Sequence, residues 1–365
     1  MQLTCSHAAL RTVVNAAARV AATSRGIAHV LIEANETGVA VTGEGSTHRV
    51  RSLIEADVRT AGAVSLPARS FDSLLSSISG DVVRLSRASL ASLDFRCGDH
   101  NTQLRTIDTE ETGEWPSRVF TEVMTVPADE LRGAIMRTVF IATDEATVTL
   151  LSGGVLLDTR DSLVRLTGMD RTRLSVSAMR SAKYSTPLQA VIVPAPSLSE
   201  VERVITGSER VSIATGGTEI RFAGATWEVR SRTIESVIPE FDSRIPHEFV
   251  TEARVRRHEL LETLIVATIF SIDEPKSVRL HLDSKKNRCV VTTKGSELGR
   301  QHSEIPATIV GQDAIAEVSV RVLMDGVRSS SQEAVELRVT EPPLQRCLLN
   351  TTEHGEDVYV FAVVA

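Results

Sequence analysis

The chain has 365 residues, 42% hydrophobic and 24% charged, with only 4% aromatic. That composition can bury aliphatic cores over two or three domains, and it excludes a disordered polymer and a binder that reads bases mainly by aromatic stacking. The net charge of −7 excludes a uniformly basic nucleic-acid binder, though not a local basic surface.

From the first residue, "LTCSHAALRTVVNAAARVAAT" reads as a short strand, a polar break and an amphipathic helix. At helical spacing Leu10, Val13, Val14, Ala17 and Ala21 fall on one side, and Arg11, Asn15 and Arg19 on the other. Residues 1–32 contain no Asp or Glu and carry Arg11, Arg19 and Arg25, a pattern also found in transit peptides. Recurrence of the same grammar deeper in the chain favours a folded helix. "MTVPADELRGAIMRTVFIAT" (124–143) and "FVTEARVRRHELLETLIVATIF" (249–270) repeat it, with Leu131 and Leu260 where Leu10 stands. In the second copy Leu131, Ala134, Ile135, Thr138 and Val139 are expected to be buried, with Arg137 pointing away.

After each helix comes an alternating hairpin: "AHVLIEANETGVAVTGE", "GGVLLDTRDSLVRLTGM" and "KSVRLHLDSKKNRCVVTT", with Asn35, Asp161 and Lys285-Lys286 at the turns. A second strand–helix unit follows each time. "GAVSLPARSFDSLLSSI" (62–78) and "LQAVIVPAPSLSEVERVI" (188–205) share a Leu/Val-Pro entry, and "EVSVRVLMDGV" (317–327) carries Ser319 in place of Pro67 and Pro194. Each copy closes with a further hairpin and strand. The pattern is three modules of about 120 residues, each β-α-β-β-β written twice, with proline-bearing breaks at 114–122 and 238–248. The expected domains are 1–119, 120–246 and 247–365, and the expected class is α+β. Strand edges left over at the ends invite self-association.

Cys5, Cys97, Cys289 and Cys347 are far apart and without a CxxC pair, so a disulfide framework and a zinc site are disfavoured and a reducing cytoplasm fits. No apolar run approaches the length of a membrane span. "GEGS" (43–46) lacks the Lys-Ser/Thr of a phosphate loop, the nine histidines are scattered, and Glu110-Glu111 sit in a polar loop. No catalytic constellation, cofactor site or metal site is read from the chain. Arginines recur on equivalent helices. Arg11, Arg19, Arg25, Arg132, Arg137, Arg203, Arg210, Arg321 and Arg328 suit a shared surface for phosphate backbones, weakened by Asp129, Glu130, Glu200 and Glu262 nearby.

Across its whole length the sequence resembles the bacterial DNA polymerase III β sliding clamp family. The pieces that carry the resemblance are "LPAR" (66–69), "MDRTRL" (169–174), "VIVP" (191–194) and "IPEF" (238–241), in their order and place in the repeat. The resemblance implies three tandem copies of the processivity fold, sheets outside and helices lining a concave inner face. Two crescents would pair as a homodimer ring around double-stranded DNA, without sequence preference. It also implies a pocket for short linear peptides of polymerase and clamp loader, here Met169, Asp170, Arg171, Thr172, Arg173, Leu174, Pro239, Leu344, Val360, Phe361, Ala362 and Val363. Leu174, Pro239, Val360 and Phe361 would form its apolar floor. The ring contact is expected at Phe71, Leu74, Leu104 and Arg105 on one side and Ile269, Phe270, Glu297 and Glu304 on the other, with Phe71 and Leu74 equally candidates for plain core.

The sequence departs from the family at Arg171-Thr172, where a Gly-His pair is usual, at the "FAVVA" tail, and at Ser152, where a strand-borne apolar pocket residue is usual. These changes put the ordinary partner peptide in question. A clamp-like scaffold that does not load on DNA is the competing expectation.

Overall fold

The computed structural model describes residues 1–24, 26–107, 118–143, 150–160, 162–184, 188–205, 210–271, 276–295, 297, 299–342, 345–350 and 357–362. The first module runs β1 (Gln2–Ser6), α1 (His7–Ala21), β2 (His29–Asn35), β3 (Gly38–Glu44), β4 (His48–Ile54), β5 (Ala56–Thr60), β6 (Gly62–Pro67), α2 (Ala68–Ser77), β7 (Val82–Ser89), β8 (Ser92–Cys97) and β9 (His100–Arg105). The second runs β10 (Thr121–Pro127), α3 (Ala128–Ala142), β11 (Gly154–Arg160), β12 (Leu163–Met169), β13 (Arg173–Met179), β14 (Lys183–Tyr184), β15 (Val191–Pro194), α4 (Ala195–Val204), β16 (Arg210–Gly216), β17 (Glu219–Ala223) and β18 (Trp227–Arg232). The third runs β19 (Thr251–Arg256), α5 (Arg257–Phe270), β20 (Ser277–Asp283), β21 (Arg288–Thr292), β22 (His302–Gly311), β23 (Ala314–Ser319), α6 (Val320–Ser329), β24 (Ala334–Val339), β25 (Arg346–Asn350) and β26 (Val358–Ala362).

Local chemistry explains the starts and turns. Ser6 caps α1 by accepting from Ala9 N at 3.4 Å, and Ser319 caps α6 by accepting from Val322 N at 3.5 Å. Asn35 Oδ1 accepts from the backbone N–H of Thr37 at 3.0 Å, closing the β2–β3 turn. The expected turn residue Asp161 lies outside the described residues. Short β5 and β14 were not read from the sequence. They pair back onto β1 and β10, and in the third module the second half of β22 does the same on β19.

Compactness divides the chain into two units rather than three. One comprises residues 1–132, 181–187 and 196–234, the other 133–180, 188–195 and 235–365, with the boundary inside α3. The division follows from strand pairing that runs across module boundaries. In the first unit, β4 pairs antiparallel with β18, making a nine-stranded sheet β14-β10-β16-β17-β18-β4-β3-β2-β6 beside a five-stranded sheet β5-β1-β7-β8-β9. In the second, β13 pairs antiparallel with β26 within a twelve-stranded sheet β15-β11-β12-β13-β26-β25-β24-β19-β22-β21-β20-β23.

Helices pack onto the sheets through aliphatic faces. Leu10, Val14, Ala17 and Ala21 of α1 are buried, as are Leu131, Ala134, Ile135, Thr138 and Val139 of α3. Close approach is set by glycine at one repeated position. A Cβ on Gly43 of β3 would stand 2.0 Å from Ala17 O, and one on Gly168 of β12 would stand 2.4 Å from Thr138 O. The second unit's core joins Leu260, Leu264, Leu280, Val291, Leu323, Leu337 and Tyr359 in one cluster.

Candidate functional site

Three sets of residues were singled out by the sequence, and the structure treats them differently. In the first unit, Arg11 is exposed on α1 and makes no ion pair among the described residues. Arg19 of α1 reaches Glu200 of α4, with Nη2 to Oε1 at 2.9 Å and Nε to Oε2 at 3.4 Å. Arg203 lies 3.6 Å from the same carboxylate. Glu200 is almost fully buried, and its pairing with Arg19 and Arg203 takes up part of the hydrogen-bonding capacity of this cluster. Arg132 pairs with Glu202 at 2.9 Å. Arg210 opens β16 and donates to the carbonyls of Thr125 at 2.8 Å and Ser181 at 2.9 Å. A surface depression along α1 gathers His7, Arg11, Asn15, Arg19, Arg203 and Trp227. Arg25 lies outside the described residues.

In the second unit, Arg321 and Arg328 are exposed on α6. Arg137 corrects the expectation of an outward arginine. Its side chain is only 12% exposed, its Nε donates to Ser177 Oγ at 3.0 Å, and Asp357 lies 3.9 Å away. Burial lowers its pKa, which Asp357 partly offsets. The cause is the tight seating of α3 on β12, which brings Arg137 down over β13 instead of into solvent.

The "MDRTRL" stretch is the turn between β12 and β13, and its interior is ionic. Asp170 Oδ1 accepts from Thr172 N at 2.7 Å, Thr172 Oγ1 at 3.0 Å and Arg173 N at 2.8 Å, while Oδ2 accepts from Arg173 Nε at 2.8 Å. Arg173 Nη1 continues to Asp325 of α6 at 2.9 Å, and its guanidinium lies 5.9 Å from the Phe140 ring centroid. Burial pushes Asp170 up, but the hydrogen bonds from Arg173 and the turn backbone outweigh it and hold the carboxyl below its usual range. Burial pulls Arg173 down, and its Tyr359 and Asp170 partners outweigh that and raise it. Tyr359 O–H donates to Val322 O at 2.9 Å, and burial raises the phenol.

Two expectations for this stretch are corrected. Arg173 is 1% exposed and Asp170 is fully buried, so neither lines an open pocket. Met169, Leu174, Val360 and Phe361 are also buried, because β26 pairs directly with β13, setting Phe361 opposite Arg173 and Val360 opposite Leu174. What faces solvent is Arg171, Thr172 and Ala362, with Pro239 half-buried. Leu344 and Val363 lie outside the described residues. Ser152 sits in the turn before β11 with φ 53°, not on a strand, and the neighbouring Leu151 is buried instead.

Sequence reasoning missed Arg244 and Arg346. Arg244 follows the "IPEF" stretch and donates to the carbonyls of Asp170 at 3.0 Å and Arg171 at 2.7 Å. Arg346 of β25 donates to Arg244 O at 2.8 Å and Ser243 O at 3.4 Å. Asp325 was missed too, although a repeat alignment places it where Glu200 stands in the helix one module earlier.

In the expected ring contact, Phe71 is 1% exposed and packs edge-to-face on Phe95 at 6.4 Å between ring centroids. That removes it from the surface and assigns it to core. Leu74 is half-buried. Leu104 and Arg105 lie on β9, which pairs with β8 alone among named strands. Ile269 is 58% exposed on α5, Phe270 is half-buried and Glu297 is exposed. Glu304 is already engaged by Arg288 and by His302 at 3.3 Å within its own chain.

Among the described residues no group of three His, Cys, Asp or Glu is placed to hold a metal, and no helix is long and apolar enough to cross a membrane. The four cysteines are free and buried; burial pushes Cys5 up to about 11 and Cys289 and Cys347 up to about 12, so their thiols stay protonated near neutrality.

Sixfold strand–helix repetition and the two cross-module strand pairings define a tandem α+β clamp architecture. Comparison with known proteins agrees. Residues 125–240 match the family model described as DNA polymerase III beta subunit, central domain. A beta sliding clamp of Synechococcus elongatus is 23% identical over 348 residues, covering 93% of this chain and 92% of that one. A beta sliding clamp of Bacillus subtilis is 25% identical over 343 residues, covering 90% and 89%. The crystal structure of the DNA polymerase sliding clamp from Bacillus subtilis superposes with TM-score 0.88 at 20% identity, covering 100% of this chain and 99% of that one. At 20–25% identity over nearly its whole length, the chain is similar to bacterial beta sliding clamps and shares their fold.

Proposed function

We propose that this chain is a sliding clamp, a non-catalytic cytoplasmic protein of which two copies close head-to-tail around duplex DNA and tether replication proteins. The supporting observation is an unfinished repeat. The seam β4·β18 sets Gly43, Val50, Val229 and Phe222 in one cross-strand row, and the seam β13·β26 sets Gly168, Ser175, Tyr359 and Leu349 in the equivalent row. A third seam needs the remaining equivalents. One is the run entering β22, where Thr293 N donates to Gln301 O at 3.2 Å; the other is β9, where Thr102 pairs with Phe95 of β8. Residues 302–306 of β22 pair with β21 alone, and β9 has a free edge among the named strands. Unpaired edges of this kind are filled by another strand. Repeat register puts Gln301 opposite Thr102 of a second copy and Arg300 opposite its Gln103, with exposed Ile269 beside the join. Domain boundaries at 119/120 and 246/247 follow the same repeat. Arginines on α1, α4 and α6 supply weak, sequence-blind phosphate contacts.

The register is tested by oxidising an Arg300→Cys, Gln103→Cys double variant. Native thiols are buried, so a covalent dimer forms through the new pair. A double variant that stays monomeric under denaturing electrophoresis, while a pair shifted by one residue cross-links, contradicts the register.

A second reading, a clamp-like scaffold that does not load on DNA, draws on one observation: Arg19, Arg132 and Arg137 are engaged by acids or hydroxyls of their own chain. Duplex binding abolished by moderate salt in both wild type and an Arg11→Ala variant, with no retention on circular DNA, supports that reading instead.

A further inference from the structure

Resting on the reading that partner peptides dock beside the β12–β13 turn, we propose that this site selects a peptide carrying a carboxylate, held by Arg244 and Arg346 with exposed Arg171 at the rim. Two of these guanidiniums are fixed by backbone carbonyls: Arg346 donates to Arg244 O at 2.8 Å, and Arg244 donates to Arg171 O at 2.7 Å and Asp170 O at 3.0 Å. Neither Arg244, Arg346 nor Arg171 makes an ion pair with a carboxylate among the described residues. Three of the nearby acids pair with other arginines, and the fourth, exposed Glu240, is turned onto a serine. Asp170 and Asp325 both bind Arg173, Asp242 binds Arg160, and Glu240 accepts from Ser243 Oγ at 3.2 Å.

Arg244 and Arg346 are half-buried, so water screens their repulsion less than it would on an open surface. Burial and the charge of Arg346 lower the Arg244 pKa, against the pull of Asp170. An arriving carboxylate relieves that repulsion and takes charge-assisted hydrogen bonds from the Arg244 and Arg346 guanidiniums, which are already fixed to backbone carbonyls. A nucleic-acid strand fits less well. The neighbouring aromatics Phe241, Tyr359 and Phe361 are buried and offer no face for stacking bases. With the apolar row Met169, Leu174 and Val360 also covered, charge carries recognition that an apolar floor cannot.

The test uses the full chain and fluorescein-labelled synthetic peptides of one Gly-Ser sequence carrying paired Asp, Asn or Lys residues at the same positions. Anisotropy is read at 50 and 500 mM NaCl. The Asp peptide is expected to bind at least tenfold more tightly than the Asn peptide at low salt, with the gap narrowing at high salt, and the Lys peptide to bind most weakly. The exposed Arg171→Ala change combined with Arg346→Gln reduces the gap below threefold and leaves the Asn peptide unchanged. Equal binding of Asp and Asn peptides overturns the charge selection while leaving peptide docking intact. Failure of all three peptides to bind overturns peptide docking itself, and the selection with it. A dT oligomer that binds through these arginines, with no preference among peptides, assigns them to a phosphate backbone and also overturns the selection.

Discussion

Replacing Arg173 by Met tests whether the β12–β13 turn is held by its buried ions. Arg173 is 1% exposed and bridges Asp170, fully buried, to Asp325, which is 23% exposed. Met keeps much of the volume but leaves Asp170 in place with only Thr172 and the turn backbone as donors. Stranding a buried charge costs about 3–5 kcal/mol. The Asp325 arm is partly screened by water and is worth about 1 kcal/mol or less. Arg173→Met is therefore expected to cost about 3 kcal/mol, and Asp325→Asn about 1 kcal/mol. Adding Asp170→Asn to Arg173→Met should restore part of the loss, because the stranded charge is gone. Urea unfolding followed by far-ultraviolet circular dichroism, compared at equal denaturant slope, reads all three. A loss below about 1 kcal/mol for Arg173→Met, or no recovery in the double variant, refutes the assignment of the turn's stability to this ion triad.

Two further outcomes follow from the same region. The carboxyl of Asp170 is held below its ordinary value, so its stabilisation is present above the unfolded pKa of about 4 and is lost as pH falls through the folded value; the stability gap between wild type and Arg173→Met should shrink in acid, measured by urea midpoints from pH 6 to 2.5. Gly326→Ala in α6 should destabilise by about 1–3 kcal/mol despite alanine's helix preference, since its Cβ would stand 2.3 Å from the Tyr359 ring. Gly133→Ala in α3, whose Cβ would stand 3.0 Å from the Arg137 guanidinium and not inside a packed ring, should cost less than Gly326→Ala in the same thermal melts.

The repeat was legible because it is written in local chemistry. Apolar spacing located α1 and α3, and the Leu/Val-Pro entries at 67 and 194 located α2 and α4, whereas the caps at Ser6 and Ser319 and the close helix approach at Gly43 and Gly168 are visible only in the structure. What was not legible depends on pairing between distant segments. Arg173 reads as a surface residue of a charged loop until β26 arrives beside β13 from the far end of the chain. Arg137 reads as outward by helical angle alone, yet is long enough to fold back onto Ser177. The arginine cluster needs three segments, at 171, 244 and 346, that no sequence window contains. Phe71 could be assigned to core only once Phe95 was seen against it.

The most direct measurement loads the Arg300→Cys, Gln103→Cys protein onto nicked circular DNA, oxidises it, and follows retention through gel filtration at high salt before and after the DNA is cut once. Closure around the duplex requires that oxidised protein stay on the circle, survive salt that strips ordinary phosphate contacts, and leave as soon as the DNA has ends. Retention on the linear form, or loss from the intact circle at high salt, would mean that the protein binds DNA from one side and does not encircle it.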